Sequence, residues 1–168
     1  IMYRLLLWVQ TRKQSVLQPI TVLMKVMELK DTKKGIIGVV ADIIKVDKKY
    51  EVAIETALGG NIQNIVTDTE TTAKDTIEYL KKHRFGRATF LPLSSMSNKT
   101  NFNAPDALEE KGVIGLASDL VDIKKEYEGV AKYLLGKSND MPAILLDTNG
   151  LTPNQIKAIS ALIESIRQ

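Results

Sequence analysis

The chain has 168 residues, 44% of them hydrophobic, and a formal net charge of +3 at pH 7. This length allows one domain or two small lobes that share a core, and the mild positive charge permits contact with nucleic acid without requiring it. The lack of cysteine excludes disulfides and thiolate chemistry and fits a reducing, intracellular setting. The single histidine, His83, offers no metal-site spacing, and no apolar run approaches the roughly 20 residues of a membrane span.

The first 34 residues are predicted to be helical from Leu17 onward. Apolar residues recur there at three- and four-residue spacing: Leu17, Ile20, Met24 and Met27. Such a helix either covers a core or forms the end of a coiled coil, and lysines followed by Gly35 end it. Because the chain begins at Ile1 and not at an initiator methionine, we expect a fragment of a longer protein.

Residues 35–60 and 112–137 are two copies of one unit. The copies read GIIGVVADIIKVDKKYEVAIETALGG and GVIGLASDLVDIKKEYEGVAKYLLGK, and nine of the 26 aligned positions are identical. In the first copy, Ile36–Ile44 is predicted to be a strand or a short helix, and Lys48–Leu58 a helix that Gly59 ends.

Strands and helices also follow each copy. After the first copy, turn residues, caps and β-branched runs predict a strand over Asn61–Thr67, a helix over Thr69–Arg84 and a strand over Arg87–Leu93, followed by a polar linker over 94–111. After the second copy they predict a strand over Pro142–Asp147. A last helix follows, which Thr152 caps with Pro153 at its first position. The predicted fold class is therefore α/β with mixed sheets in two similar lobes, the second of which stops one strand early.

No pattern in the sequence is typical of a catalytic or cofactor site. The paired glycines of each copy lack the spacing of a phosphate-binding loop, and we interpret them as positions of special backbone conformation. The repeated acids Asp42 and Asp119 would suit an acid pair only if a pocket joined them, and a capping role is the alternative. We predict no catalytic residue, no metal and no cofactor.

Two stretches are candidates for contact with other molecules. Gly60 follows the helix-ending Gly59 directly before a strand, and it either belongs to a loose loop or lets another backbone come close. The stretch KKHRFGR carries four basic residues: Lys81, Lys82, Arg84 and Arg87. With Phe85 among them they suit phosphates and exposed bases, although a solvated helix end would look the same. We interpret His83 as part of this surface and not as a ligand.

These stretches resemble the hinge domain of structural maintenance of chromosomes (SMC) proteins, especially bacterial ones. Both copies of the unit, NIQNIVTD after the first copy and TAKDTIEYLKKHRFGRATFLPL carry the resemblance. It implies a coiled-coil end over residues 1–34, lobe I over residues 35–101 and lobe II over residues 102–168.

The resemblance implies a dimerisation hinge of a chromosome-organising ATPase. Such a hinge is not itself an enzyme, because ATP is bound by head regions that this chain lacks. Hinges of this family form homodimers by pairing strand edges between lobes of opposite subunits, and many bind DNA weakly. The expected location is cytoplasmic and nucleoid-associated, with no membrane partner. The implied sites are a dimer interface at Gly59, Gly60, Asn61 and Ile62 and a DNA surface at Lys81, Lys82, Arg84 and Arg87.

The C-terminal part departs from the family pattern. No glycine-rich segment of the kind that contributes to the family's dimer contact follows Gly136, which leaves an incomplete, asymmetric or absent dimer open. We interpret the duplication as a way to present complementary sheet edges that a two-fold partner closes. The alternative function is a stand-alone nucleic-acid-binding module that uses residues 81–87.

Overall fold

The computed structural model describes residues 17–96, 108–109, 111–136, 143–147 and 149–165. The helices and strands are α1 (Leu17–Lys30), β1 (Ile36–Val39), α2 (Val40–Ile43), β2 (Lys45–Val46), α3 (Glu51–Leu58), β3 (Ile65–Thr67), α4 (Glu70–Lys82), β4 (Phe90–Pro92), β5 (Val113–Leu116), β6 (Val121–Asp122), α5 (Glu128–Leu135), β7 (Ile144–Leu146) and α6 (Pro153–Ser165). Short 3₁₀ turns include Lys48–Tyr50, Gly59–Gln63 and Lys125–Tyr127. The predicted mixed α/β architecture is confirmed.

Three small sheets hold the described strands. The first has the order β1–β3–β4, with β3 antiparallel to β1 and parallel to β4. Because parallel neighbours need a crossover, α4 connects β3 to β4 as a βαβ unit. The second half repeats only the antiparallel pair, β5–β7. The third sheet is the two-stranded ladder of β2 and β6.

The two copies of the unit adopt the same backbone. β1, the first 3₁₀ turn and α3 recur 77 residues later as β5, the turn over Lys125–Tyr127 and α5. Gly35 and Gly112 have φ of 99° and 94°, and Gly38 and Gly115 have φ of 156° and 148°. These values lie outside the range that other residues adopt readily, so the interpretation of the paired glycines as special backbone positions is confirmed.

The two copies also pair with each other inside one chain. In the antiparallel β2–β6 ladder, Lys45 lies opposite Asp122 and Val46 lies opposite Val121. Asp122 follows Lys45 by 77 residues, the same offset that separates the two copies. A local two-fold axis therefore passes through the Lys45–Asp122 pair.

One buried apolar cluster joins the halves around this axis, and α3 packs against α5. The cluster takes Val40, Ile44, Ile54, Leu58, Ile62, Val66 and Leu91 from the first half and Ala117, Val130, Ala131, Leu134, Leu135 and Leu145 from the second. The sequence predicts pairing between molecules as the reason for the duplication, and the structure adds pairing within the chain. A strand of two residues carries no periodic signal by which the sequence could show it.

The buried face of α1 differs from the predicted one. The buried residues of this helix are Val22, Leu23 and Val26, which join a cluster with β1, β3 and α4. The predicted face is less covered: Ile20 and Met27 are half-buried, and Met24 is 46% exposed. α1 therefore covers a core with Val22, Leu23 and Val26, Met27 packs partly against the same cluster, and Met24 stays at the surface.

Several predicted elements are shorter in the structure. The strand expected from Asn61 begins at Ile65, because the 3₁₀ turn Gly59–Gln63 precedes it. The strand expected from Arg87 begins at Phe90. The helix expected to reach Arg84 ends at Lys82, and Arg84 itself has a φ of 55°. The strand expected over Pro142–Asp147 spans Ile144–Leu146, and Pro142 lies outside the described residues.

Threonines cap both α4 and α6, as the sequence predicted for Thr152. The Thr69 hydroxyl accepts a hydrogen bond from the Thr72 backbone N–H at 3.3 Å, at the start of α4. At the start of α6, the Thr152 hydroxyl accepts from the Gln155 N–H at 3.4 Å, and Gln155 Oε1 accepts from the Thr152 N–H at 2.9 Å. This reciprocal pair is a capping box, which satisfies two donors that the helix start leaves free.

Replacing Gly35 by Ala is expected to lower the free energy of unfolding by about 2–4 kcal/mol. The added Cβ would lie 2.6 Å from Asp68 Oδ1 and 2.7 Å from Thr72 Oγ1, at a φ of 99°. Gly60→Ala is the matched control, because a Cβ there would meet no atom within 4 Å; its change should stay within about 1 kcal/mol. Urea unfolding measures the free energy of unfolding of both variants. Equal losses in the two would contradict the clash of the added Cβ as the cause.

Candidate dimerisation and nucleic-acid surfaces

The turn Gly59–Gln63 joins α3 to β3 and forms the first candidate surface. Gly59, with a φ of 52°, ends α3 as predicted, and Gly60 and Asn61 are exposed. A Cβ built on Gly59 or Gly60 would have no atom within 4 Å, so the chain itself does not use the room that these glycines leave. Ile62, by contrast, is buried in the shared core, and its side chain supports the turn from within.

Asn64 holds the end of this turn. Its side-chain Nδ2 donates to Asn61 Oδ1 at 3.1 Å, and its backbone N–H donates to the Asn61 carbonyl at 3.0 Å. The Asn64 carbonyl accepts from the Val40 N–H at 3.0 Å, which ties the turn to α2. The side chain is only 8% exposed. Asn64 is a site residue that the sequence did not predict, although buried polar side chains such as this amide are nearly always hydrogen-bonded.

A groove of about 400 Å³ opens beside the turn. Its walls come from α1, from the turn and from the residues just before β4: Val22, Leu23, Gly60, Gln63, Asn64, Arg87, Ala88 and Thr89. Gly60 and Arg87, which were predicted for two different surfaces, therefore line the same groove. β4 is the edge of its sheet, and no strand within the described ranges pairs with its outer side.

The basic residues of KKHRFGR lie at the C-terminal end of α4 and in the loop after it. Lys81 and Lys82 end the helix, and Arg84 and Arg87 follow. All four side chains are exposed, and none takes part in an ion pair within the part of the chain that the structure describes. Cations at this end also interact favourably with the helix dipole, so the position alone does not require a ligand.

The Phe85 ring packs against the rings of neighbouring residues. Its ring lies 5.4 Å from the His83 ring in a nearly parallel stack and 5.9 Å from the Tyr79 ring. Phe85 also packs on the cluster under α1, where Lys25 Nζ lies 5.8 Å from its ring centre. A hydrogen bond from Lys25 to Glu28 raises the pKa of that lysine. This surface therefore offers exposed cations more than a free aromatic platform.

Asp68 organises the opposite end of α4. Its carboxylate accepts from the Thr72 hydroxyl at 2.6 Å and from the Thr69 N–H at 2.6 Å. The hydrogen bond from Thr72 is the main cause that lowers the pKa of Asp68, against the opposing effect of desolvation. The start of the helix that presents Lys81 and Lys82 is thus fixed by a charged acceptor at its N-terminus.

The cavity beside Asp119 does not bring the repeated acids Asp42 and Asp119 together. The cavity that Asp119 lines, of about 340 Å³, is built wholly from the second half and does not include Asp42, which lies on α2. Among the residues that the structure describes, no group of three or more His, Cys, Asp or Glu is placed to hold a metal ion. None of the described helices is long and apolar enough to cross a membrane.

The duplicated α/β fold is that of an SMC hinge. It matches the crystal structure of an asymmetric dimer of the Geobacillus stearothermophilus SMC hinge domain with a TM-score of 0.67 and 25% sequence identity, over 98% of this chain and 81% of that one. The sequence profile of the SMC proteins Flexible Hinge Domain matches residues 33–138. The chain therefore belongs to the SMC hinge family.

Curated relatives of this chain are chromosome partition proteins named Smc. The chain is 48% identical over 105 residues to the protein of Halothermothrix orenii and 42% identical over 114 residues to that of Bacillus subtilis. These matches cover 62% and 67% of this chain but only 9% and 10% of the two relatives. The chain thus spans about a tenth of the length of the curated relatives it matches.

The stability that Asp68 contributes should depend on pH. Its pKa is lowered in the folded state, so between that value and the usual carboxylate value the unfolded chain binds more protons. The stabilisation by Asp68 is complete at pH values above the usual carboxylate pKa, and it is lost as the pH falls through the lowered pKa of the folded state. In urea unfolding at a series of pH values, the stability gap between wild type and Asp68→Asn should narrow toward acid. Glu78→Gln, on the exposed side of the same helix, should follow wild type, and an Asp68→Asn gap that stays constant would contradict this assignment.

Proposed function

We propose that this chain is the homodimerisation hinge of a chromosome-partitioning SMC protein. Membership of the hinge family supports this function, and so do the names of the relatives. In this proposal residues 1–34 are a coiled-coil end, residues 35–101 form lobe I and residues 102–168 form lobe II. The hinge itself catalyses nothing, ATP is bound and hydrolysed by head regions of the longer protein, and the protein acts on the nucleoid in the cytoplasm.

The open edge of the first sheet is the observation that carries the dimerisation proposal. β4 has a paired inner side and, among the described strands, an unpaired outer side. β7 corresponds to β3 in the repeat, yet no described strand stands where β4 stands in the first half. Unpaired edges favour pairing with another chain, and two edges of this kind in one molecule suit a dimer that closes both.

The surface of α1 supports its assignment as a coil end. Ile20, Met24 and Met27 are spaced by four and three residues, as in the seam of a coiled coil, and they are less buried than Val22, Leu23 and Val26. In the proposed arrangement these residues meet the returning helix of the coil.

Light scattering at micromolar concentrations should give twice the chain mass of 18.6 kDa. The physical reason is burial of the open sheet edges between two copies. The matched comparison is the same chain extended at its C-terminus by the glycine-rich segment of a relative, which should tighten the dimer. A monomer at all concentrations for both proteins would contradict the proposed function.

Nucleic-acid binding through residues 81–87 is a second candidate function. It is favoured by four exposed cations that have no ion-pair partner in the described part of the chain. In this proposal Lys81, Lys82, Arg84 and Arg87 contact phosphates, and the binding is weak and independent of sequence.

Replacing these four residues by Ala should abolish most DNA binding and reduce the slope of log K against log salt by about 3–4. The matched control removes four other exposed lysines, namely Lys48, Lys74, Lys124 and Lys125, and so changes the net charge equally. Fluorescence anisotropy with a labelled duplex and a labelled single strand measures both variants. Equal losses in the two variants would show that net charge, and not this surface, determines the affinity.

A further inference from the structure

We propose that Asn149 is a site of spontaneous deamidation, at which the side-chain amide is converted to aspartate and isoaspartate in the folded chain. Asn149 and Gly150 lie in the loop between β7 and α6. Asn149 is the only asparagine in the 168 residues that a glycine follows. The inference concerns the second half of the chain and depends neither on the proposed homodimer nor on DNA binding.

The reaction joins the Asn149 side chain to the main chain of the next residue. The Gly150 amide nitrogen loses its proton and attacks Asn149 Cγ, a C–N bond forms, and the side-chain nitrogen takes up a proton and leaves as ammonia. Water then opens the resulting succinimide ring at either of its two C–N bonds. Opening at the side-chain carbonyl gives ordinary aspartate. Opening at the main-chain carbonyl gives isoaspartate, in which the main chain runs through the former side chain.

The loop leaves the attacking nitrogen of Gly150 accessible. No acceptor among the described residues takes the Gly150 N–H, so attack on Asn149 breaks no hydrogen bond there. Gly150 has a φ of 78°, and a Cβ built on it would meet no atom within 4 Å. The loop therefore has room for the ring, and glycine has no side chain to hinder ring closure. Both residues are exposed, so water reaches the ring and ammonia departs.

The other asparagines in the described ranges are less suited to this reaction. Asn61 and Asn64 each precede a β-branched isoleucine, and hydrogen bonds join the two asparagines to each other. Asn154 is exposed like Asn149, but it precedes Gln155 and lies in the first turn of α6, where the helix fixes the backbone of both residues. Asn154 is therefore a matched internal control in the same chain.

The loop that contains Asn149 also positions α6. The Asp147 carboxylate accepts from the Asn149 N–H at 2.9 Å, and the Asp147 N–H donates to the Gly112 carbonyl at 2.8 Å. Leu151 packs against Gly112, since a Cβ built on this glycine would lie 2.8 Å from Leu151 Cδ1. An isoaspartate lengthens the main chain between these two anchors, Asp147 and Leu151, so Leu151 should leave Gly112 and the start of α6 should loosen. Ordinary aspartate adds only a negative charge, which the N-terminus of α6 tolerates.

Peptide mapping of the full chain after incubation at mildly alkaline pH tests the site. In the peptide of residues 138–157, fragmentation mass spectrometry should show conversion at Asn149 at least about tenfold faster than at Asn154. An isoaspartate-specific methyltransferase should label the product. Asn149→Gln should abolish the reaction, because the longer side chain would have to close a larger ring. Gly150→Ala should slow it, with some loss of stability because a φ of 78° is unfavourable for alanine.

Hydrogen exchange tests the consequence for α6. The isoaspartate form, separated by ion exchange, should lose amide protection in α6 and keep it in α4 of the first half. Asn149→Asp carries the same charge on an unchanged main chain and should keep the wild-type protection of α6. Equal conversion at Asn149 and Asn154, or conversion at Asn149 only after unfolding in urea, overturns the inference. An isoaspartate form whose α6 is as protected as in Asn149→Asp overturns the role of this loop in positioning the helix.

Discussion

Neither half of this chain carries a sheet large enough to be stable alone. Among the described strands, the sheet of the first half has three short strands and that of the second half has two, and sheets of this size need packing against further elements. The cluster that joins the halves supplies this packing, with the β2–β6 ladder at its centre. Because Lys45 lies opposite its own repeat equivalent, each copy presents to the other the same surface that it receives. Duplication thus gives a self-complementary junction without a second molecule.

The internal junction uses one set of edges and leaves another set open. The backbone groups of β2 and β6 pair with each other, while those on the outer side of β4 stay unpaired within the described chain. The two kinds of edge have separate functions in the proposed hinge: one holds the halves together, and the other meets a second copy. Opening such a dimer would then leave each chain folded, since the shared core does not depend on the outer edge.

Local patterns predicted most of the elements. The repeat, the helices over α3 to α6, the threonine caps and the stop at Gly59 all follow from signals within a few residues. The Ile- and Val-rich run over Ile36–Ile44, which periodicity left open, contains both a strand and a short helix. The buried face of α1 was missed because Val22, Leu23 and Val26 compete with an equally apolar stripe. Only the tertiary contact with β1 decides between the two stripes.

The candidate site was less predictable than the fold. The sequence indicated Gly59, Gly60 and the basic residues, and the structure puts Gly60 and Arg87 on one groove although 26 residues separate them. Asn64 was missed because its burial and its hydrogen bond to Asn61 are properties of the folded state. The pairing of Phe85 with His83 likewise depends on the turn that follows α4.

The anchoring of α1 has a mechanical consequence. With Val22, Leu23 and Val26 anchored in the first half, the helix cannot rotate about its own axis without disrupting that core. The direction in which the outward face of α1 points is therefore fixed by the domain, and a coil formed on that face would start in a fixed orientation. In the proposed hinge, torque along such a coil would pass into β1, which α1 contacts, instead of dissipating in a swivelling joint.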